Sequence, residues 1–444
     1  MFLYLIRILF GVLIVFPFIS FGQVDKENPF EMVTKKRKKK RQTNHIECVN
    51  SPLLTDILKS NWGYLGNILS KTDEHKVQII YTQINRDKKR LPILTHHSYR
   101  LDTGEFFFPA SMTKLIASTL AIEKIRELNI NGLDLNTRME VGSEYDCQKA
   151  DTVDVTARSG YPSIGHYIRK ALAASDNPSY DHLYEFLGQQ EINERLWAKG
   201  YTSARIVARY GSRCTHYENR FTNPIRFIDS DTVIYRQLSK KSPQLLTNPM
   251  KKRWVGRGHY GAGGFYATGP MDFTYANCIS LKDLHEIVIA ITMPIVLNDR
   301  TKRFGITRDD HVLLLKEMSI YPRESQFPKY NTSYHYDGRL KFFLMGGIDS
   351  IAKPNIRIFN KVGMSHGFLT DCAYIIDFEN KIEFFLSATV YVNSDGVLND
   401  AKYDYDTIGL PFMAKLGNVI YDYEKTRKRK RLPTLKVYRL NYSD

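Results

Sequence analysis

The C-terminal quarter of the chain limits its fold more than any other stretch. Residues 355–361, 368–378 and 381–392 are three successive runs rich in β-branched and aromatic residues. Glycine-containing and Glu379-Asn380 turns join them, so they read as three adjacent strands. A second group of strands stands near the other end. Residues 77–84 and 91–99 are separated by the polar break 85–90, which predicts a hairpin. Between the two groups the pattern is helical, so the order predicts one sheet assembled from both ends of the chain with a helical region inserted in its middle.

Apolar residues at helical spacing predict a helix over 51–70, through Leu53, Leu54, Ile57, Leu58, Leu65, Ile68 and Leu69. Pro109 precedes a second over about 111–128, with Leu115, Ile116, Leu120, Ile122 and Ile125 on its apolar face. Further helices are expected over 164–174, 180–187, 280–292 (with Ser280 and Asp283 as a capping box) and 401–423. Residues 256–269, rich in glycine and aromatics, read as a long loop, and 321–338 as irregular. No internal repeat is visible.

The net charge of +16 invites a nucleic-acid reading until it is located. Residues 35–41 carry seven basic side chains, and Lys425 with 427–431 carry six; without these thirteen the net charge falls to about +3. The body is nearly neutral and the basicity sits at its edges. These flanks suit solvent or anionic envelope surfaces, and neither is interleaved with aromatics as a nucleic-acid groove would be. Residues 1–22 hold one charge, Arg7, then an apolar stretch over 8–19, with Ser20 and Gly22 before Gln23. This predicts an export signal, hence a periplasmic or secreted protein, membrane-anchored if the signal is retained. The resulting division is a signal at 1–22, a basic linker at 23–47, one domain at 48–424 and a basic tail at 425–444. Within the domain, the sheet comes from about 48–110 and 350–424, and the helical region from about 111–349. The five cysteines show no C-x-x-C spacing, which argues against zinc or a redox dithiol. A disulfide is allowed by export, but the pairing is open. His96-His97 has no accompanying metal-ligand spacing. No metal or cofactor is expected.

Chemistry is carried by three short strings. In Ser111-Met112-Thr113-Lys114, near a predicted helix start, the hydroxyl and the amine three residues on share one helical face. A desolvated lysine there can act as base to the serine. Ser350-Ile351-Ala352-Lys353 fits the same pattern, but Pro354 denies it a helix. Ser175-Asp176-Asn177 occurs once and would serve equally as a helix cap, which Pro178 supports. Lys361-Val362-Gly363 stands where a predicted strand ends, whereas Lys415-Leu416-Gly417 falls inside a predicted helix. Gly363 and Gly367 cluster where close backbone approach would be useful.

In this order the three strings resemble those of class A serine β-lactamases and the related penicillin-binding transpeptidases. The resemblance spans about 48–423. It implies an α+β (mixed α/β) fold, with a five-stranded antiparallel sheet flanked by helices beside an all-helical region. It also implies roles. Ser111 becomes the nucleophile, Lys114 the general base, Ser175 a proton relay and Asn177 a substrate ligand. Lys361 becomes the cation facing a substrate carboxylate, and the Ser111 and Met364 N–H groups the oxyanion donors. Three departures stand out. Val362 occupies a position where the family has a hydroxyl, leaving Ser365 or His366 to supply one. The family's E-x-x-L-N string, whose glutamate activates the deacylating water, is absent. Between Glu194 and Glu286 the one glutamate is Glu218, the candidate for that role. The interval from Ser175 to Lys361 is long for the family and implies an insertion that includes 256–269. The function expected is hydrolysis of a β-lactam or related amide through a Ser111 acyl-enzyme. The alternatives are a D-alanyl-D-alanine peptidase or slow penicillin-binding protein acting on cell-wall peptide, and a non-catalytic envelope-binding protein.

Overall fold

The computed structural model describes residues 45–348 and 353–443. The export-signal reading, most of the basic linker and Ser350 lie outside the described residues. Five strands make one antiparallel sheet: β1 (Gln78–Arg86), β2 (Pro92–Tyr99), β3 (Ile356–Ser365), β4 (Phe368–Asp377) and β5 (Ile382–Tyr391), ordered β3-β4-β5-β1-β2. The sheet is built from both ends of the chain as expected: β1 pairs with β2 on one side and β5 on the other, Gln78 lying opposite Thr389.

The helices are α1 (Pro52–Ser60), α2 (Trp62–Leu69), α3 (Thr113–Leu128), α4 (Ile164–Ala173), α5 (Asn177–Leu187), α6 (Gln189–Ala198), α7 (Leu281–Thr292), α8 (Arg308–Ser319) and α9 (Leu410–Thr426). Every residue of β4 and β5 is buried, as a sheet covered on both faces requires. One apolar layer joins α1, α2 and α9 to the sheet through Leu58, Leu65, Val362, Leu386 and Ile420. The other joins the opposite face to α3, α4, α5, α7 and α8 through residues such as Ile116, Leu183, Ile291, Leu315 and Phe359. The side chains of β3 alternate between the two layers, Ile358 and Val362 going to the first and Phe359 to the second.

Several local expectations change. The helix predicted over 51–70 breaks at Asn61, whose side-chain amide donates to the Ile57 carbonyl at 2.9 Å, a local bond that competes with the helical ladder. Residues 256–269 are not simply a loop. Gly258–Tyr260 and Tyr266–Thr268 form a hairpin, and Val397–Leu398 adds a third, parallel strand. The capping box of α7 is half made: Ser280 accepts from the Asp283 N–H, but the Asp283 carboxylate takes the hydroxyl and N–H of Ser203. Lys361 does not end a strand, because β3 continues to Ser365. Helices α6 and α8 and a small sheet of Arg138–Val141, Ile225–Asp229 and Thr232–Gln237 were not legible beforehand.

The C-terminal basic residues are not merely a solvated edge. Arg427 and Arg429 pair with the buried Glu424, which also accepts from the Tyr81 hydroxyl of β1. Beyond them Leu435 and Tyr438 are buried, and the Tyr438 hydroxyl donates to the Thr292 carbonyl at 3.0 Å. Cys147 and Cys214 form a disulfide, while Cys48 is free and exposed and Cys278 and Cys372 are free and buried.

Candidate active site

The nucleophile candidate sits on a tight turn. Phe106, Phe107 and Phe108 are buried and fix the chain entering Pro109. A single 3-10 turn, Ala110–Met112, then leads into α3. Ala110 has φ of 45°, a left-handed conformation that costs an alanine free energy and must be held from outside. It is held: the Tyr210 hydroxyl donates to the Ala110 carbonyl at 2.7 Å, and the Thr113 hydroxyl does so at 3.3 Å. Strand β3 closes the other side. A Cβ on Gly363 would lie 2.2 Å from the Pro109 carbonyl oxygen, so only glycine lets strand and turn meet.

Three strings far apart in sequence converge here. Lys114 Nζ lies 2.9 Å from Ser111 Oγ, 2.6 Å from Asn177 Oδ1 and 3.2 Å from Ser175 Oγ, and it also contacts the Ser175 carbonyl. Lys361 Nζ lies 2.9 Å from the same Ser175 Oγ and 3.1 Å from the Val362 carbonyl. The Ser175 hydroxyl is thus shared between two amines. Ser175 itself has φ of 59°, which lets both its hydroxyl and its carbonyl face the pocket. Asp176 points elsewhere and caps α5, accepting from the Ser179 N–H at 2.9 Å. The helix-cap reading therefore holds for Asp176 alone.

Both lysines are buried, whereas Ser111 and Ser175 reach solvent in part. Burial pushes the Lys114 ammonium down to about 7, although Asp176 and Asp181 pull the other way. Burial, then the neighbouring Lys114, pushes Lys361 well below its ordinary value. An uncharged Lys114 fits its partners: two N–H bonds for the two pure acceptors, the Ser175 carbonyl and Asn177 Oδ1, and a lone pair for the Ser111 hydroxyl.

Val362 is buried in the layer facing α9, so it lends nothing to the pocket. Ser365 Oγ lies 2.8 Å from His366 Nδ1, and the His366 ring packs on Phe108 and Phe273 at 4.9 and 5.4 Å. Burial brings His366 down to about 4, so the ring is neutral. Met364 is half exposed at the rim.

Glu218 is not part of this group. It lies in a surface turn, where its carboxylate accepts from the Thr215 N–H at 2.7 Å, and none of its hydrogen bonds reaches Ser111, Lys114 or Ser175. Thr215 holds this carboxylate below the usual range. The acid facing the site is Asp181, one helical turn after Asn177 on α5. Both its oxygens are taken, by the N–H groups of Tyr210 and Gly211 at 2.7 and 2.8 Å. Those bonds seat the Tyr210 ring 5.9 Å from Lys114 Nζ. Burial keeps the Tyr210 phenol protonated, its pKa pushed up to about 12. Sequence reading missed both residues. The i, i+4 spacing from Asn177 to Asp181 was the available signal; Tyr210 had none. The loop behind Tyr210 is fixed by the fully buried Arg209–Glu185 pair and by the disulfide at Cys214.

The beta-lactamase enzyme family matches residues 64–254, a segment that carries the first two strings and stops before Lys361. No curated protein matches the chain. Among solved structures, a class A β-lactamase from Clostridium kluyveri is 14% identical, with a TM-score of 0.45 over 82% of this chain and 100% of its own. A β-lactamase from Streptomyces albus G is 12% identical, with a TM-score of 0.43 over 81% of this chain and 99% of that one. A PBP-A mutant in its acyl-enzyme complex with penicillin G is 12% identical, with a TM-score of 0.45 over 83% and 96%.

Proposed function

From a β-lactamase-like segment joined to this cluster of hydroxyls and amines, we propose a serine acyl hydrolase of the β-lactamase and penicillin-binding type, acylated at Ser111. The carrying observation is the convergence of Lys114 Nζ on Ser111, Ser175 and Asn177, with Lys361 beyond. In the proposed step, Ser111 Oγ attacks the carbonyl of a strained or peptide-like amide and its proton passes to the Lys114 lone pair. The N–H groups of Ser111 and Met364 hold the oxyanion. As the C–N bond breaks, the Ser175 hydroxyl gives a proton to the leaving nitrogen and regains one from Lys114. Lys361 polarises Ser175 and attracts the substrate carboxylate, with Ser365 as the neighbouring hydroxyl in place of Val362. Asn177 orients the acyl chain. No cofactor enters.

Deacylation is proposed to be slow, which favours a β-lactam-binding or cell-wall peptidase enzyme over a fast β-lactamase. The support is Tyr210, a protonated phenol beside Lys114, together with Asp181, whose oxygens are already spent. Export to an oxidising compartment is proposed on the apolar N-terminus and the Cys147–Cys214 bridge, with the basic flanks meeting anionic envelope surfaces. Intact-mass measurement with a penicillin tests the reading. Wild type is expected to gain one adduct that persists for hours and is absent in Ser111→Ala. An adduct lost within seconds would instead support the fast hydrolase. No adduct with any acylating probe would leave the envelope-binding alternative.

A further inference from the structure

A cavity of about 420 Å3 lies at the opposite end of α4 from Ser175. It is lined by Asn136, Arg158, Ser159, Ser163, Arg169 and Phe327 among others, and Ser111 is not among them. The ten residues of α4 put about 15 Å between this cavity and the candidate active site.

The lining contains no carboxylate. Arg158 is presented by a hydrogen-bonded turn in which the Ala157 N–H donates to the Asp154 carbonyl and the Gly160 N–H to that of Ala157, both at 3.0 Å. Its guanidinium lies 4.9 Å from the Phe327 ring centroid and has no hydrogen-bond or ion-pair partner among the described residues. Arg169 meets Glu317 at 3.8 Å, beyond hydrogen-bond range, and is one-third exposed. The nearest acid, Asp154, is occupied behind the wall by Lys170 at 2.8 Å and His166 at 3.1 Å. The Ser163 hydroxyl caps α4 by accepting from the His166 N–H, which leaves its own proton to donate. Two arginines with N–H groups to spare, a hydroxyl donor, the positive end of α4 and an aromatic ring therefore face one concave space.

We propose that this cavity binds an anionic ligand, a phosphate or carboxylate carried on a ring. The charge would sit between Arg158 and Arg169, and the ring on Phe327. The site is separate from the proposed serine chemistry and does not depend on it.

Calorimetric titration of the full chain with phenyl phosphate, benzoate, inorganic phosphate and phenol tests the proposal. Phenyl phosphate or benzoate is expected to bind saturably below about 10 mM, and phenol not at all. Arg158→Ala with Arg169→Ala should weaken the anion at least about tenfold, Arg158→Ala alone should weaken it less, and Ser111→Ala should leave it unchanged. Phe327→Ala should weaken phenyl phosphate but not inorganic phosphate. Which anion binds more tightly assigns phosphate or carboxylate. No saturable binding, binding indifferent to the arginine substitutions in variants whose thermal unfolding matches wild type, or binding lost in Ser111→Ala would each overturn it.

Discussion

Two buried lysines flank strand β3 and have opposite surroundings. Lys114, on the helical side, and Lys341, beside Asn360, are both driven by burial to about 7. Their partners then separate them. Lys341 Nζ faces three pure acceptors, the carbonyls of Met318 and Ile358 at 2.8 and 3.0 Å and Asn360 Oδ1 at 2.7 Å. Only an ammonium satisfies all three. Asn360 in turn donates to Asp371 at 2.9 Å, and that fully buried carboxyl, raised to about 7 chiefly by burial, completes a closed network. Lys114 has two pure acceptors and a hydroxyl that can donate to it. A depressed pKa is thus common to both, and the number of acceptors decides which lysine can serve as a base.

The comparison fails or sharpens on four measurements. The largest contrast is expected in acylation: Lys114→Met should slow adduct formation by about 10^2 to 10^4, while Lys341→Met should change it less than about threefold in the folded fraction. Equal losses would remove the distinction. Denaturant unfolding should reverse the order. Lys341→Met should cost about 3 kcal/mol by stranding Asp371, and adding Asp371→Asn should recover part of that in a double-mutant cycle.

The third measurement is the pH profile. The reacting form of Lys114 is uncharged, so the acylation rate should rise about tenfold per unit below pH 7 and level off above it, with the same profile in Lys341→Met. A profile flat from pH 5 to 9 would sink the assignment of the base. The smallest effect is expected from Tyr210→Phe, which removes the bond to the Ala110 carbonyl. It should cost about 1 kcal/mol of stability and only a few-fold in acylation, read by thermal unfolding and adduct kinetics.

Much of this architecture is legible because its signals are local. The strands of the sheet announce themselves by β-branched runs, and the nucleophile turn by Pro109 before an apolar-faced helix. Ser111, Lys114, Ser175 and Lys361 could be named from short strings whose order is informative. What stayed hidden depends on tertiary packing. Tyr210 carries no motif, and its place beside Lys114 follows from backbone bonds to Asp181 across a loop. Glu218 was the one glutamate in its interval, yet composition says nothing about the direction of a carboxylate that its own turn engages. The hairpin within 256–269 forms because the chain after β5 supplies a third strand, a partner no local pattern could announce.

The pairing of Gln78 with Thr389 carries a consequence for biogenesis. During synthesis β1 and β2 emerge early, but β5, which must lie against β1, comes almost last, with β3 and its Lys361 just ahead of it. Until then the serine and its first amine exist without the second cation or the floor beneath them. Truncations at any point before the final strand should therefore yield chains devoid of acylating power, and the nascent polypeptide is kept inert until its release.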